Sequence, residues 1–200
     1  RLAQGDSVIS MAILRAVPAS PAGRAAYLKH AKAMRAAIEG EEGDEPIAPE
    51  EADDEAGDEL VSLSPERIAE LGAAEETILT VSTEGFGKRT SAYEYRVIGR
   101  GGQGVANIEV TPRNGPVVAS FPVGEDDQIM LVTNRGQLIR CPVHDIRIAR
   151  RQTQGVTVFR VGEDEEVVAV AHLSDLGEDE GNGGDEPTPE GEGPTGDGAK

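Results

Sequence analysis

Tryptophan is absent from these 200 residues, which hold only three Phe, three Tyr, three His, three Met and one Cys. Each shortage closes something off. With a single thiol, Cys141, no disulfide can form within the chain, which fits a reducing cytoplasm. His30, His144 and His172 are scattered without metal-ligand spacing, so they read as structural or surface groups and no zinc site is expected. The scarcity of aromatics leaves Val, Ile, Leu and Ala to build the core. No apolar run approaches the roughly 18 residues that span a bilayer, so a soluble chain with no membrane partner is expected. The chain starts at Arg1 without an initiator Met or an apolar leader, and reads as a piece cut from the C-terminal part of a longer protein.

What is abundant is acid, but unevenly. The formal net charge is −18. Residues 1–76 hold 7 Lys/Arg against 17 Asp/Glu, and residues 174–200 hold 1 against 9, whereas residues 77–173 balance at 11 against 11. The excess acid therefore lies outside the central segment. Phosphate responds to the local field rather than to the total, so the sum does not exclude nucleic acid as a partner.

Composition divides the chain. Residues 175–200 are Gly, Glu, Asp, Pro and Thr with almost no apolar side chain, and read as a disordered acidic tail. Residues 39–59 have the same character and read as a disordered acidic loop. Two helix starts flank that loop. Ser20-Pro21 offers an N-cap followed by Pro at the first helical position, after which Leu28, Ala31, Met34 and Ile38 recur at helical spacing up to Gly40. Ser64-Pro65 offers a second start, with Ile68 and Leu71 on one face and Gly72 after them. The expectation over 15–75 is a helical hairpin closed by an acidic loop.

The central segment reads as strands over 78–82, 117–121, 129–133, 138–141, 156–160 and 167–171, all short, β-branched and punctuated by Gly and Asn. It also repeats. Gly85 pairs with Gly136, Arg89 with Arg140, Arg100 with Arg151, Gln103-Gly104-Val105 with Gln154-Gly155-Val156, and Val117-Val118 with Val168-Ala169, all at one offset of 51. Residues 1–14 fit the end of an earlier copy, with Val8-Ile9-Ser10 matching Val167-Val168-Ala169. The spacing from Ile9 to Val117 then exceeds one period by 57 residues, close to the length of the hairpin, which makes the hairpin an insertion between units. A four-strand repeat of this size predicts blades of a β-propeller, 76–124 and 125–174, within an all-β partial propeller; a duplicated sandwich or a solenoid is the alternative.

Catalytic constellations are not apparent. Tyr93 and Tyr95 alternate at strand spacing, one expected to pack and one to face out. The loop at 100–104 is Gly-rich but lacks the Lys-Ser/Thr ending and the helix that a phosphate-binding P-loop needs. What stands out is cations at recurring places: Lys88, Arg89, Arg96 and Arg100 in one unit, Arg140, Arg147, Arg150 and Arg151 in the next. Recurrence would put them on one side of a propeller, as a band that meets phosphates without reading bases and favours bent DNA. On the residues alone, such a band suits DNA or a protein partner.

Phe86-Gly87-Lys88-Arg89-Thr90, Tyr95-Arg96, Gly99-Arg100-Gly101-Gly102-Gln103-Gly104-Val105, Asn107-Ile108, Asn114-Gly115-Pro116-Val117-Val118, Ile129-Met130-Leu131-Val132-Thr133 and Thr153-Gln154-Gly155-Val156 together resemble blades of the C-terminal domain of DNA gyrase A subunits, over 1–14 and about 76–173. The resemblance implies a six-bladed pinwheel that wraps double-stranded DNA. It also implies a gyrase A homodimer assembled with gyrase B subunits as A2B2, and ATP-driven negative supercoiling in the cytoplasm, on the chromosome. The catalytic tyrosine and the Mg2+ and ATP sites of such an ATP-hydrolysing type II topoisomerase would lie elsewhere in the holoenzyme; this chain would carry no catalytic residue, metal or cofactor. The family's Gln-Arg-Arg-Gly-Gly-Lys-Gly box is not in the sequence; 100–104 and 150–155 are degenerate relatives of it, so its role is not carried onto them. The alternatives are a protein-binding propeller scaffold and the related domain of the A-type subunit of topoisomerase IV.

Overall fold

Both Ser-Pro steps start helices. The computed structural model describes residues 4–39, 62–99, 101–102 and 104–174. In it α1 spans Pro21–Glu39 and α2 spans Pro65–Ala73. Ser20 Oγ accepts the Gly23 N–H at 3.0 Å and Ser64 Oγ accepts the Arg67 N–H at 3.2 Å, satisfying donors that a helix start leaves open. Gly40, nearly all of the acidic loop, the tail and Arg100 lie outside the described residues. The packed face of α1 keeps Leu28 and Ala31 of the expected stripe but centres on Tyr27, which is buried edge-on against Tyr93, while Met34 is 52% exposed.

The period of 51 is structural. β1 (Thr77–Ser82) and β2 (Phe86–Ser91) form a hairpin running from Thr77↔Ser91 to Val81↔Gly87, and a short 3-10 turn, Ala92–Glu94, follows. β3 (Val117–Val123) adds to the other edge of β1 with a bulge at Val81/Ser82. The second unit repeats this with β4 (Gln128–Thr133), β5 (Leu138–Pro142), a 3-10 turn at Val143–Asp145 and, after a two-residue strand β6 (Val156–Thr157), β7 (Val167–Leu173). Gln128 pairs with Pro142 and the β4–β7 ladder bulges at Val132/Thr133, each 51 residues on. Only the third strand slips: Ser82 faces Val117, but Thr133 faces Val167, so the offset there is one residue shorter than the Val117–Val168 match.

The ladders between β1–β7 are antiparallel, with one isolated parallel bridge, Arg89↔Ile148, yet the sheets do not follow the sequence units. The first is ordered β3-β1-β2-β6 and the second β5-β4-β7. β6 belongs to the second unit and completes the first sheet, pairing Gly87↔Val156 and Phe86↔Thr157. It stops short of the expected 156–160. Val158 N–H and Phe159 N–H both turn to the Gly85 carbonyl, at 2.9 and 3.1 Å, so the chain bends around the β1–β2 turn instead of continuing the ladder. Gly155 permits the crossing. It has φ +80°, and a Cβ there would stand 2.8 Å from the Gly87 carbonyl oxygen. This explains the Gly of the second Gln-Gly-Val copy; Gly104 of the first shares the positive φ, +86°, but meets no backbone crossing among the described residues.

The two sheets bury one aliphatic core of Leu79, Val81, Val123, Ile129, Leu131, Val143, Ile146 and Val167, each side chain contributing about 1.5–3 kcal/mol. A separate cluster of Tyr27, Ala31, Leu71 and Tyr93 joins the helical hairpin to the first unit. Tyr93 sits in the 3-10 turn rather than on a strand, and it faces α1 and α2. Residues 8–10, expected as a counterpart of β7, form no strand; Ser10 Oγ donates to the Ser120 carbonyl at 2.8 Å, and Val8 and Ile9 are exposed. Among the described residues no helix is long and apolar enough to cross a membrane.

Candidate nucleic-acid interface

The eight cations do not share one environment. Arg96, Arg140, Arg147 and Arg150 are exposed, Arg151 is half-buried, and Arg100 lies outside the described residues. Lys88 and Arg89 are buried, at 0% and 4% exposure, and cannot meet a phosphate at the surface. The correction has a plain cause. Residues 144–153 of the second unit pass over β2 and cover it, and a buried charge persists only where bonds replace its water.

Those bonds are extensive. Arg89 Nε donates to the Ile146 carbonyl at 2.6 Å, its NH2 group donates to the His144 carbonyl at 3.2 Å, and its NH1 group pairs with Glu125 Oε2 at 2.6 Å. The Arg89 N–H donates to the Arg147 carbonyl, while Ala149 N–H donates to the Arg89 carbonyl. Thr90 Oγ1 donates to the Ala149 carbonyl at 2.9 Å. Lys88 Nζ donates to the Arg150, Arg151 and Thr153 carbonyls. β2 thus grips the whole path from His144 to Thr153. Arg140, at the place equivalent to Arg89, is exposed because no described segment lies over β5 in that way.

Two of the exposed cations follow the 3-10 turns at equivalent places. Arg96 comes two residues after the first turn and Arg147 two residues after the second. Arg150 and Arg151 then occupy a turn whose geometry is fixed locally: Thr153 Oγ1 donates to the Arg150 carbonyl at 2.8 Å, and Glu94 Oε2 accepts the Arg151 N–H at 2.9 Å. Burial raises the Glu94 carboxyl above its ordinary value, against the pull of that bond and of the Arg151, Lys88 and Arg35 charges. Arg151 also donates to the Ala106 carbonyl at 2.8 Å and lies 6.0 Å from the centre of the Tyr95 ring. The Tyr95 hydroxyl in turn donates to Asn107 Oδ1, so both tyrosines have structural partners.

Reasoning from recurrence missed exposed Arg113, Arg135 and Arg160, which stand opposite acidic residues one period away, and it missed the supports Glu94 and Asn107. Glu94 was findable, since Asp145 recurs at its place. Among the described residues no group of three His, Cys, Asp or Glu side chains could hold a metal ion.

Two antiparallel units laced together by an exchanged strand define a blade-repeat protein, in which exposed Arg96 recurs one period on as exposed Arg147. The sequence model described as DNA gyrase C-terminal domain, beta-propeller, matches residues 76–123 and 127–174. The chain is 51% identical over 187 residues to the DNA gyrase A subunit of Granulibacter bethesdensis, covering 92% of this chain and 20% of that protein. It is 43% identical over 180 residues to the DNA gyrase A subunit of Rickettsia bellii, covering 90% and 19%. A solved structure of a DNA gyrase A C-terminal domain is similar at 26% identity and a TM-score of 0.47, over 50% of this chain and 34% of that one. The chain belongs to the DNA gyrase C-terminal β-propeller family. It spans about a fifth of the length of the two curated relatives.

Proposed function

We propose that this chain is part of the DNA-wrapping domain of a gyrase A subunit, and that its exposed arginines bind the phosphates of double-stranded DNA without reading bases. The observation that carries this is the repetition of exposed Arg96 at Arg147, one period on, beside exposed Arg150. Cations spaced by blade geometry meet successive phosphates only if the duplex bends around them, and the added contacts offset the bending cost. The whole protein then works as a gyrase A homodimer with gyrase B subunits, in an A2B2 assembly that uses ATP and Mg2+ to supercoil DNA negatively, in the cytoplasm on the chromosome. None of that chemistry falls to the described residues, whose part is to hold DNA in a curved path.

The test is a salt-titrated duplex-binding assay on the full-length protein carrying Arg96→Glu, Arg147→Glu and Arg150→Glu together. Binding should weaken equally for unrelated duplexes, and the slope of log K against log salt should fall by about 0.9 for every phosphate no longer neutralised. Unchanged affinity and slope would refute the reading.

A further inference from the structure

Lys88 leaves β2 of the first unit and ends beneath the turn at 150–153 of the second. Its Nζ lies 2.6 Å from the Arg150 carbonyl oxygen, 2.5 Å from that of Arg151 and 3.2 Å from that of Thr153, with Thr153 Oγ1 at 3.3 Å. An ammonium has three protons and no acceptor, so all of its donors are committed to one turn. Two of the three carbonyls belong to Arg150, which is exposed, and Arg151, which is half-buried against Ala106 and Tyr95. Ile139 fills the equivalent place in the second unit, where no described segment lies over β5, so it is the crossing turn and not the strand that goes with the cation.

We infer that Lys88 is a positioning residue for DNA binding: its ammonium fixes the backbone that aims Arg150 and Arg151 at phosphates, and it touches no DNA itself. The inference rests on the reading that these arginines bind DNA. It also carries a pH signature. Burial, with the Arg151 charge adding to it and the Glu94 carboxylate opposing it, brings the Lys88 ammonium down to about 8. Phosphates placed on Arg150 and Arg151 offset the repulsion from Arg151 and raise the proton affinity of Lys88. Binding then takes up protons near pH 8, and affinity falls as the pH rises through that region.

The experiment is a double-mutant cycle on the full-length protein, with a labelled duplex as probe: wild type, Lys88→Ile, Arg150→Ala/Arg151→Ala, and all three together. At about 0.1 M salt each phosphate left unneutralised weakens binding about eightfold, from a slope of about 0.9 per phosphate. Lys88→Ile should weaken binding by up to that factor for each arginine it misplaces, lower the salt slope by about 1 to 2, and add nothing on the Arg150→Ala/Arg151→Ala background. Wild-type affinity should fall between about pH 7 and 9.5, a fall that Lys88→Ile lacks. Additive effects, or a slope unmoved by Lys88→Ile, overturn the inference while leaving arginine-mediated binding intact. If Arg150→Ala/Arg151→Ala binds like wild type, the reading of this turn as an interface fails first, and the inference with it. Should Lys88→Ile not fold, the wild-type pH profile decides alone, and a flat profile overturns the inference.

Discussion

Tyr93 is the hinge-pin of the helical insertion, and its removal should undock the helices without unfolding the sheets. Its hydroxyl donates to the Leu71 carbonyl at 2.8 Å, and its ring meets the Tyr27 ring edge-on at 5.4 Å between centroids. The Tyr27 hydroxyl donates to Glu75 Oε2 at 2.7 Å. Tyr93→Phe loses one hydrogen bond, about 1 kcal/mol of docking. Tyr93→Ala also loses the edge-to-face pair and the buried ring, about 3–5 kcal/mol in all. At 1.4 kcal/mol per decade, that lowers the ratio of docked to undocked hairpin about 100- to 4000-fold. The aliphatic core shares no residue with this aromatic cluster, so the sheets should be spared. Hydrogen exchange on the full-length protein reads both regions. In Tyr93→Ala the amides of α1 and α2 should lose protection while β1, β2 and β4 keep theirs. Burial first, and then Glu75, raise both phenols above their ordinary value. A raised acid favours folding fully below its unfolded pKa, about 10, and loses that contribution as pH rises above it, so docking should weaken above about pH 10. Unchanged protection of α1 in Tyr93→Ala, or loss in β1 and β4 in step with it, refutes this account.

Three further outcomes are expected. Deleting 57 residues from the insertion at about 16–73 should leave the blades folded, as read by circular dichroism and by retained protection of β1 and β4; loss of both shows that the hairpin is part of the fold. Gly155→Ala should unseat β6 from β2 at a cost of about 1–3 kcal/mol, because its φ is +80° and the new Cβ meets the Gly87 carbonyl oxygen at 2.8 Å; an unchanged urea midpoint counts against that crossing. Removing residues 175–200 should tighten DNA binding at low salt, with the gain shrinking as salt rises, since a tethered carboxylate-rich segment competes with phosphate for Arg150 and Arg151; equal affinities at low salt make the tail a solubiliser only.

The repeat was legible because both hairpins keep one register: Thr77↔Ser91 and Gln128↔Pro142 are the same pair one period apart. The helix starts were legible because a Ser followed by Pro satisfies two separate demands of a helix N-terminus. The destination of β6 was not. Two residues carry too little alternation to say which sheet they join, and the partner that decides, Gly87, lies 69 residues earlier beside Val156. Nor was the aromatic docking of α1. Tyr27 falls one position before Leu28, and an aliphatic helical pattern gives no reason to prefer it until Tyr93 is seen to face it.

The cations were misjudged for a related reason, which bears on how the interface should be probed. Lys and Arg on a strand normally face water, so recurrence at 89 and 140 looked like a surface band. Burial, however, is set by what crosses the strand, and residues 144–153 cross β2. Arg89→Glu should lower DNA binding, and the loss alone would be uninformative: it places a carboxylate among the His144 and Ile146 carbonyls and beside Glu125. A carboxylate confined at this buried position among carbonyls, with its former donors gone, is strongly destabilising, enough to part the two units before any phosphate is counted. Arg96, Arg147 and Arg150 have exposed side chains, so their reversal reports on the surface field. The two kinds of cation separate by salt dependence. Removing a cation that neutralises a phosphate flattens the slope of affinity against salt, whereas unfolding lowers the bindable fraction and leaves the slope of the remainder unchanged. Arg89→Glu should therefore show reduced binding capacity at an unaltered slope, and a flattened slope at full capacity would return Arg89 to the interface.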